Sequence, residues 1–357
     1  MTKAHVAVIA STVALLASLP TQAQDVISAT PYASHGDEWV VYDHDSCKFV
    51  PAVEHPASYK AVLRKAKKPL KVAFIQPLTT GPFMALWTPG MQKAAEQAAI
   101  ELRLFDSQYP STTQPLVVAD AVVQYAPDVV LEGTEVDAVL PALMNKYNKA
   151  CLPVVLADLV PPPNAIFFAA QQADVGRVGA EYAVEVARQR GWTGADMWAV
   201  SCANTEVGSS ENGPHARVAT FQQKVLEAFP DMPADHATLL DCRQAEGPLD
   251  ARTKVTDWLT AHPDAKYIIS NAITDVQALG MYAAFKAADF GERAILIGTD
   301  VDPGAMEIVN SGDPIFVGDV SQAPELRGVY EISLALDIAE GLPVPLEVFS
   351  EPVVVHP

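Results

Sequence analysis

The stretch KVAFIQPLTTGPFMALWTPGMQKAAEQAAIELRL, residues 71–104, decides the fold. Val72, Ala73, Phe74 and Ile75 form an unbroken apolar run, as a parallel strand covered on both faces requires, and residues 76–81 end it with Pro, Thr and Gly. An Ala-rich helix follows, predicted over 82–100. In open α/β sheets ligands bind beyond the carboxyl ends of parallel strands. Thr79, Thr80, Phe83 and Trp87 therefore stand at an expected binding edge.

Outward from this unit the pattern repeats. Strands are predicted at 102–105, 129–132, 154–156 and 166–170, with helices at 114–125 and 137–149 between them. A helix at 174–190 then opens a second set: strands 197–201, 237–240, 267–270, 295–298 and 315–320, alternating with helices 213–228, 248–261 and 275–288. A last helix, 323–340, should return to the first set. The spacing predicts an α/β protein of two doubly wound parallel-sheet lobes joined by a hinge, with crossovers near Ala170, Asp319 and Leu342. Lobe 1 is expected to take 71–172 and 320–345, and lobe 2 to take 173–319 and 346–357.

The amino terminus reads as a secretory signal over residues 1–23: Lys3, an apolar stretch from Ala4 to Leu19, and a small-residue cleavage site before Gln24. The residue directly after that site is Gln24 and not a cysteine, which argues against a lipid anchor. Removing 1–23 takes away only Lys3 and leaves a net charge of −20, a poor match to nucleic acid, whose phosphates need clustered Lys and Arg. Half of the residues are apolar and 19% charged, as in soluble globular proteins.

Residues 24–70 form an extension with a basic helix predicted at 57–68. Its Asp43-His44-Asp45 cluster could suggest a metal, but no second ligand cluster supports one, and a solvated loop is expected. Cys202 and Cys242 follow neighbouring strand runs at matching ends, and adjacent strands lie within disulfide reach, so these two should pair. That bond would contribute on the order of 3–4 kcal/mol. Cys47 and Cys151 are then left to tie the extension to the first lobe.

The order of several motifs resembles the periplasmic sugar-binding proteins of ABC transporters, the ribose- and galactose-binding type I family. They are Gly81-Pro82-Phe83, Leu156-Ala157-Asp158, Arg217 before Phe221-Gln222-Gln223, Asn271 after an apolar strand, and Ile297-Gly298-Thr299-Asp300. The resemblance spans about residues 71–341, and the family's proteins usually begin near the strand at Lys71. It implies a ligand set of Phe83 (ring stacking), Trp87, Asp158, Asn271, Asp300 and Asp319, with His215 or Arg217 as donor. For Asp158, Asp300 and Asn271 a helix-cap role competes, and for Phe83 and Trp87 a core role.

Departures from the ribose-binding pattern bear on the ligand. Leu159 stands where those proteins have Arg after the strand-end Asp, Gly81 where Asn is common, His215 at a first cleft Arg, and Asp319 at the last hinge Gln. An acceptor-rich cleft follows, which disfavours an acidic sugar. The resemblance implies a monomeric periplasmic protein that passes a neutral sugar or polyol to an ABC permease, without cofactor, metal or catalysis. Two other functions compete: a sensory module for a membrane receptor, and a secreted hydrolase using Asp158 and Asp300. No G-x-S-x-G, H-E-x-x-H, P-loop or dinucleotide fingerprint supports the enzyme.

Overall fold

The computed structural model describes residues 26–29, 34–158, 163–204, 214–243 and 247–357; the expected signal segment and Leu159 lie outside them. The extension supplies five short strands: β1 (Val26–Ala29), β2 (Ser34–His35), β3 (Trp39–Asp43), β4 (Lys48–Pro51) and β5 (Val62–Arg64). The first α/β set follows as β6 (Lys71–Gln76), α1 (Pro82–Gln97), β7 (Glu101–Asp106), α2 (Gln114–Tyr125), β8 (Val129–Glu132), α3 (Leu140–Lys149), β9 (Val154–Ala157) and β10 (Ile166–Ala170). The second comprises α4 (Gln172–Gln189), β11 (Met197–Ala203), α5 (His215–Ala228), β12 (Ala237–Asp241), α6 (Pro248–Ala261), β13 (Tyr267–Ala272), α7 (Asp275–Ala287), β14 (Ala294–Thr299), α8 (Pro303–Asn310) and β15 (Phe316–Ser321). The chain closes with α9 (Pro324–Ala339), β16 (Val344–Pro345), β17 (Glu347–Ser350) and β18 (Val353–Val355).

Two large sheets result, ordered β2-β17-β10-β9-β8-β6-β7 and β12-β11-β13-β14-β15-β18. Pairing is parallel except at the edge strands β2 and β18. In both, the first strand of the set lies between the second and third, so each sheet has its switch point there, β6/β8 and β11/β13. Buried apolar residues cover both faces of each sheet, which explains why the strands read as apolar runs rather than alternations.

The chain passes between the sheets after Ala170, after Ser321 and after Ser350. The third passage corrects the expectation of one near Leu342: β17 pairs with β10 in the first sheet before β18 joins the second. α9 returns to the first lobe and crosses α1 where Gly90 meets Gly328; a Cβ on Gly90 would lie 2.6 Å from the carbonyl oxygen of Glu325. That close approach brings the polar residues of α9 up to the strand ends.

The extension belongs to the first lobe. Trp39, Tyr42, Tyr59 and Leu63 are buried in one cluster with residues of α1 and α9. The basic helix expected at 57–68 is instead coil around β5, because Arg64 turns inward to pair with Asp337 at 2.9 Å and Glu340 at 3.0 Å. Disulfides join Cys47 to Cys151 and Cys202 to Cys242, with Cα atoms 4.8 and 5.5 Å apart. Asp43 turns its carboxylate to Asp45 N–H and the Ser46 hydroxyl, the bonding of a solvated turn.

Candidate functional site

On the first lobe, Asp158 follows β9 at φ 65°, which lifts its side chain off the strand end. Its Oδ2 pairs with Arg327 of α9 at 2.8 Å, while Oδ1 is buried and has no hydrogen-bond partner among the described residues. The Arg327 guanidinium lies 4.2 Å from the Trp87 ring centre, with Phe168 and Phe83 at 5.2 and 5.5 Å, a set of cation–π contacts that fixes its plane. Behind it, buried Glu331 accepts from Trp87 Nε1 at 2.8 Å. Burial pushes the Glu331 carboxyl up to about 7 against the opposing pull of Arg327 and the Trp87 bond.

On the second lobe, buried Arg217 of α5 is held by three partners: Gln172 Oε1, Ile273 O at 2.5 Å and Gln322 Oε1 at 3.2 Å. Its backbone lies against Gly176 of α4, where a Cβ would collide with the Arg217 carbonyl. Asp300, after β14, accepts from Gln322 Nε2 at 2.6 Å and stands 3.9 Å from Arg217 Nη1. Burial pushes its carboxyl up to about 7; Arg217 and Gln322 oppose that push, and Asp319 and Asp158 add to it.

Asp158 and Asp300 thus feel each other across the space between the lobes. Glu135, beyond the end of β8, lies within reach of both. Burial, then Asp158 and Asp300, raise it to about 7, with Arg327 and Arg217 opposing. By area Glu135 is exposed, so it lines a wet cleft, and water moderates the effect of crowding. Half-buried Tyr109 is raised by burial and by Glu135, which puts its phenol on the same side.

Five of the eight expected residues gather here or at the rim: Phe83 and Asp158 on one wall, Arg217 and Asp300 on the other, and His215 beside them. Half-buried His215 is spent on the backbone, its Nε2 being 2.6 Å from Asn204 O. The other three lie inside the protein. Trp87 is 1% exposed in the core. Asn271 accepts from Ser201 at 2.6 Å within the sheet, because β13 runs on to Ala272. Asp319 is fully buried below the Asp300 turn.

Two residues outside the expected set also bond to its aspartates: Arg327 of α9 pairs with Asp158, and Gln322, three residues beyond Asp319, donates to Asp300. The available signal for Arg327 is its i,i+4 spacing from Glu331 along α9. A depression of about 400 Å³ beside Pro69, Lys71 and Asp128 lies at the opposite, amino ends of the strands and contains none of these groups.

Comparison with known proteins places this geometry in context. The model of the periplasmic binding protein domain matches residues 72–343. The ribose import binding protein of Escherichia coli is 22% identical over 272 residues, covering 76% of this chain and 85% of that one. A solute-binding protein from Actinobacillus succinogenes with bound D-allose has a TM-score of 0.65 at 20% identity, covering 81% of this chain and 98% of its own. One from Bacillus halodurans with bound myo-inositol has a TM-score of 0.64 at 19% identity, covering 81% and 95%. At such identities these structures establish a shared fold.

Proposed function

Because the chain belongs to the periplasmic binding protein domain family, we propose that it captures a neutral sugar or polyol between its lobes and delivers it to an ABC importer. It does so in the periplasm, as a monomer, and without chemistry. The binding unit divides into a first lobe of residues 34–170 and 324–350 and a second of 172–321 and 353–357.

The reading rests on Asp158 following a strand of the first lobe and Asp300 one of the second, each beside an arginine of its own lobe, with Asp158 near enough to help raise the Asp300 carboxyl. A polyhydroxy ligand gives up many hydrogen bonds to water on burial, and only fixed acceptors and donors replace them. The charge balance suits a neutral ligand. Each aspartate stands beside an arginine, and burial and crowding raise the Asp300 and Glu135 carboxyls, so the wall carries little net charge for its number of acids. A ligand bridging the two aspartates would hold the lobes together by hinge closure.

A thermal-shift screen over D-ribose, D-allose and myo-inositol tests this. A sugar present at about 100 times its Kd adds about 2.7 kcal/mol to the native state, so at least one should raise Tm by several degrees. No shift from these or any other pentose, hexose or polyol at millimolar concentration would contradict it.

A further inference from the structure

Beneath Asp300 lie two carboxyl groups that ligand contact leaves unused. Asp275 begins α7 and Asp319 sits in β15, and they are 2% and 0% exposed. Asp275 accepts Thr299 N–H on Oδ1 at 2.9 Å and Asp302 N–H on Oδ2 at 2.7 Å. Asp319 Oδ1 accepts Val301 N–H at 3.2 Å. Between them the two side chains hold three of the four backbone N–H groups of residues 299–302. The fourth, on Asp300, goes to Val320 O at 3.1 Å.

This turn needs holding. Asp300 has φ 109° and Val301 φ 54°, values costly for residues with a Cβ and above all for a β-branched one, which persist only under outside restraint. The restraint itself requires a proton. Asp319 Oδ2 is buried and has no hydrogen-bond donor among the described residues, and it lies close to Asp275 Oδ1: a Cβ on Gly298 would be 2.7 Å from the one and closer still to the other. Two buried carboxylates this close repel when both are ionised, and a proton kept on one removes the repulsion and lets it donate to the other. The charged groups around the pair do not replace it. Asp300 and Asp302 are further anions, and Arg217 stands beyond Asp300, occupied by Gln172, Ile273 and Gln322.

We propose that Asp275 and Asp319 form a one-proton clamp that positions Asp300 for ligand, and that loss of the clamp's proton releases the turn and weakens binding. The binding half of this statement rests on the role given to Asp300 above. Burial and mutual repulsion push Asp275 well above the carboxylate range and Asp319 up to about 6, consistent with one retained proton. The direction for stability follows from linkage. Folding takes up a proton that the unfolded chain has already released, so the pair's contribution is complete below about pH 4 and declines as pH rises through the folded values.

The variant Asp319→Asn separates the possibilities, because an amide keeps the Oδ1 acceptor and donates permanently to Asp275. Carboxyl NMR of the ligand-free protein, labelled at Asp, should show one clamp carboxyl protonated at pH 7 in the wild type. The Asp300 signal should respond to loss of that proton in addition to its own titration, and Asp319→Asn should remove the part that follows the clamp. Melting temperature should fall less between pH 6 and pH 8.5 in the variant than in the wild type. With D-ribose as probe, wild-type affinity should fall more steeply with rising pH than that of the variant, by up to about tenfold per pH unit once the clamp titrates, since affinity scales with the competent fraction. Two fully ionised carboxylates at pH 6, or identical pH profiles for Asp300 in the two proteins, would overturn the clamp. If D-ribose binds neither protein, the NMR and melting results still decide the clamp, and the failure falls on D-ribose as ligand.

Discussion

Replacing Arg327 by methionine is expected to lower the unfolding free energy by about 3–5 kcal/mol, the cost of removing one partner from a buried ion pair, here that with Asp158, and of taking a nearby positive charge from buried Glu331. Methionine keeps the apolar stem against Trp87 and Phe168, so the loss reports on charge. Arg327 is 2% exposed and Glu331 1%. Without the guanidinium, Glu331 is left buried as an anion or takes a proton, and its carboxyl already stands at about 7 with Arg327 present. Protonation relieves the burial penalty, so the deficit should be larger at pH 8 than at pH 6. Adding Glu331→Gln should recover part of it. Denaturant unfolding at both pH values measures the effect; a loss under about 1 kcal/mol at each would show that this pair does not hold the cleft wall.

The second large effect is expected at the extension. Its disulfide, Cys47–Cys151, closes a loop with a sequence separation of 104, worth about 4.7 kcal/mol in the chain-entropy account. The double variant Cys47→Ala/Cys151→Ala should lose most of that, because Cys151 is exposed and Cys47 half-buried, so no core cavity adds to the cost. Denaturant midpoints compared with the wild type under oxidising conditions give the number. A change below about 1 kcal/mol would mean that the extension's remaining contacts, among them Tyr59 and Arg64 on Asp337, keep the unfolded chain from gaining freedom.

The two large sheets were legible because their strands are buried on both faces and read as apolar runs bounded by Pro, Gly and Asp. The extension was not. Lys60, Arg64, Lys65, Lys67 and Lys68 look like the solvated face of a helix, and nothing local announces that Arg64 bonds to acids in α9. β17 was assigned to the wrong sheet because its four residues carry no strong pattern and its partner β10 is remote in the chain.

At the site, Asp158 and Asp300 were visible as polar residues ending apolar strands. Asn271 gave the same signal, yet its strand continues and the side chain turns to Ser201. Arg327, Gln322 and Glu135 were missed because their value depends on which lobe wall they reach, a matter of tertiary path rather than spacing. The guanidinium beside Asp158 comes from α9, remote in the chain, and nothing near Asp158 in the sequence announces it.

Calorimetric titration of the wild type, Asp158→Ala and Asp300→Ala with the sugar giving the largest thermal shift is the most direct test of a ligand bridging the two lobes. Asp300→Asn serves as a second variant, because Asn tolerates the positive φ at that position better than Ala. The wild type should bind one sugar per chain. Each alanine variant should remain folded and bind about 10- to 150-fold more weakly, the cost of losing charged hydrogen bonds worth about 1.5–3 kcal/mol. Unchanged affinity in both folded alanine variants would contradict a sugar held between Asp158 and Asp300.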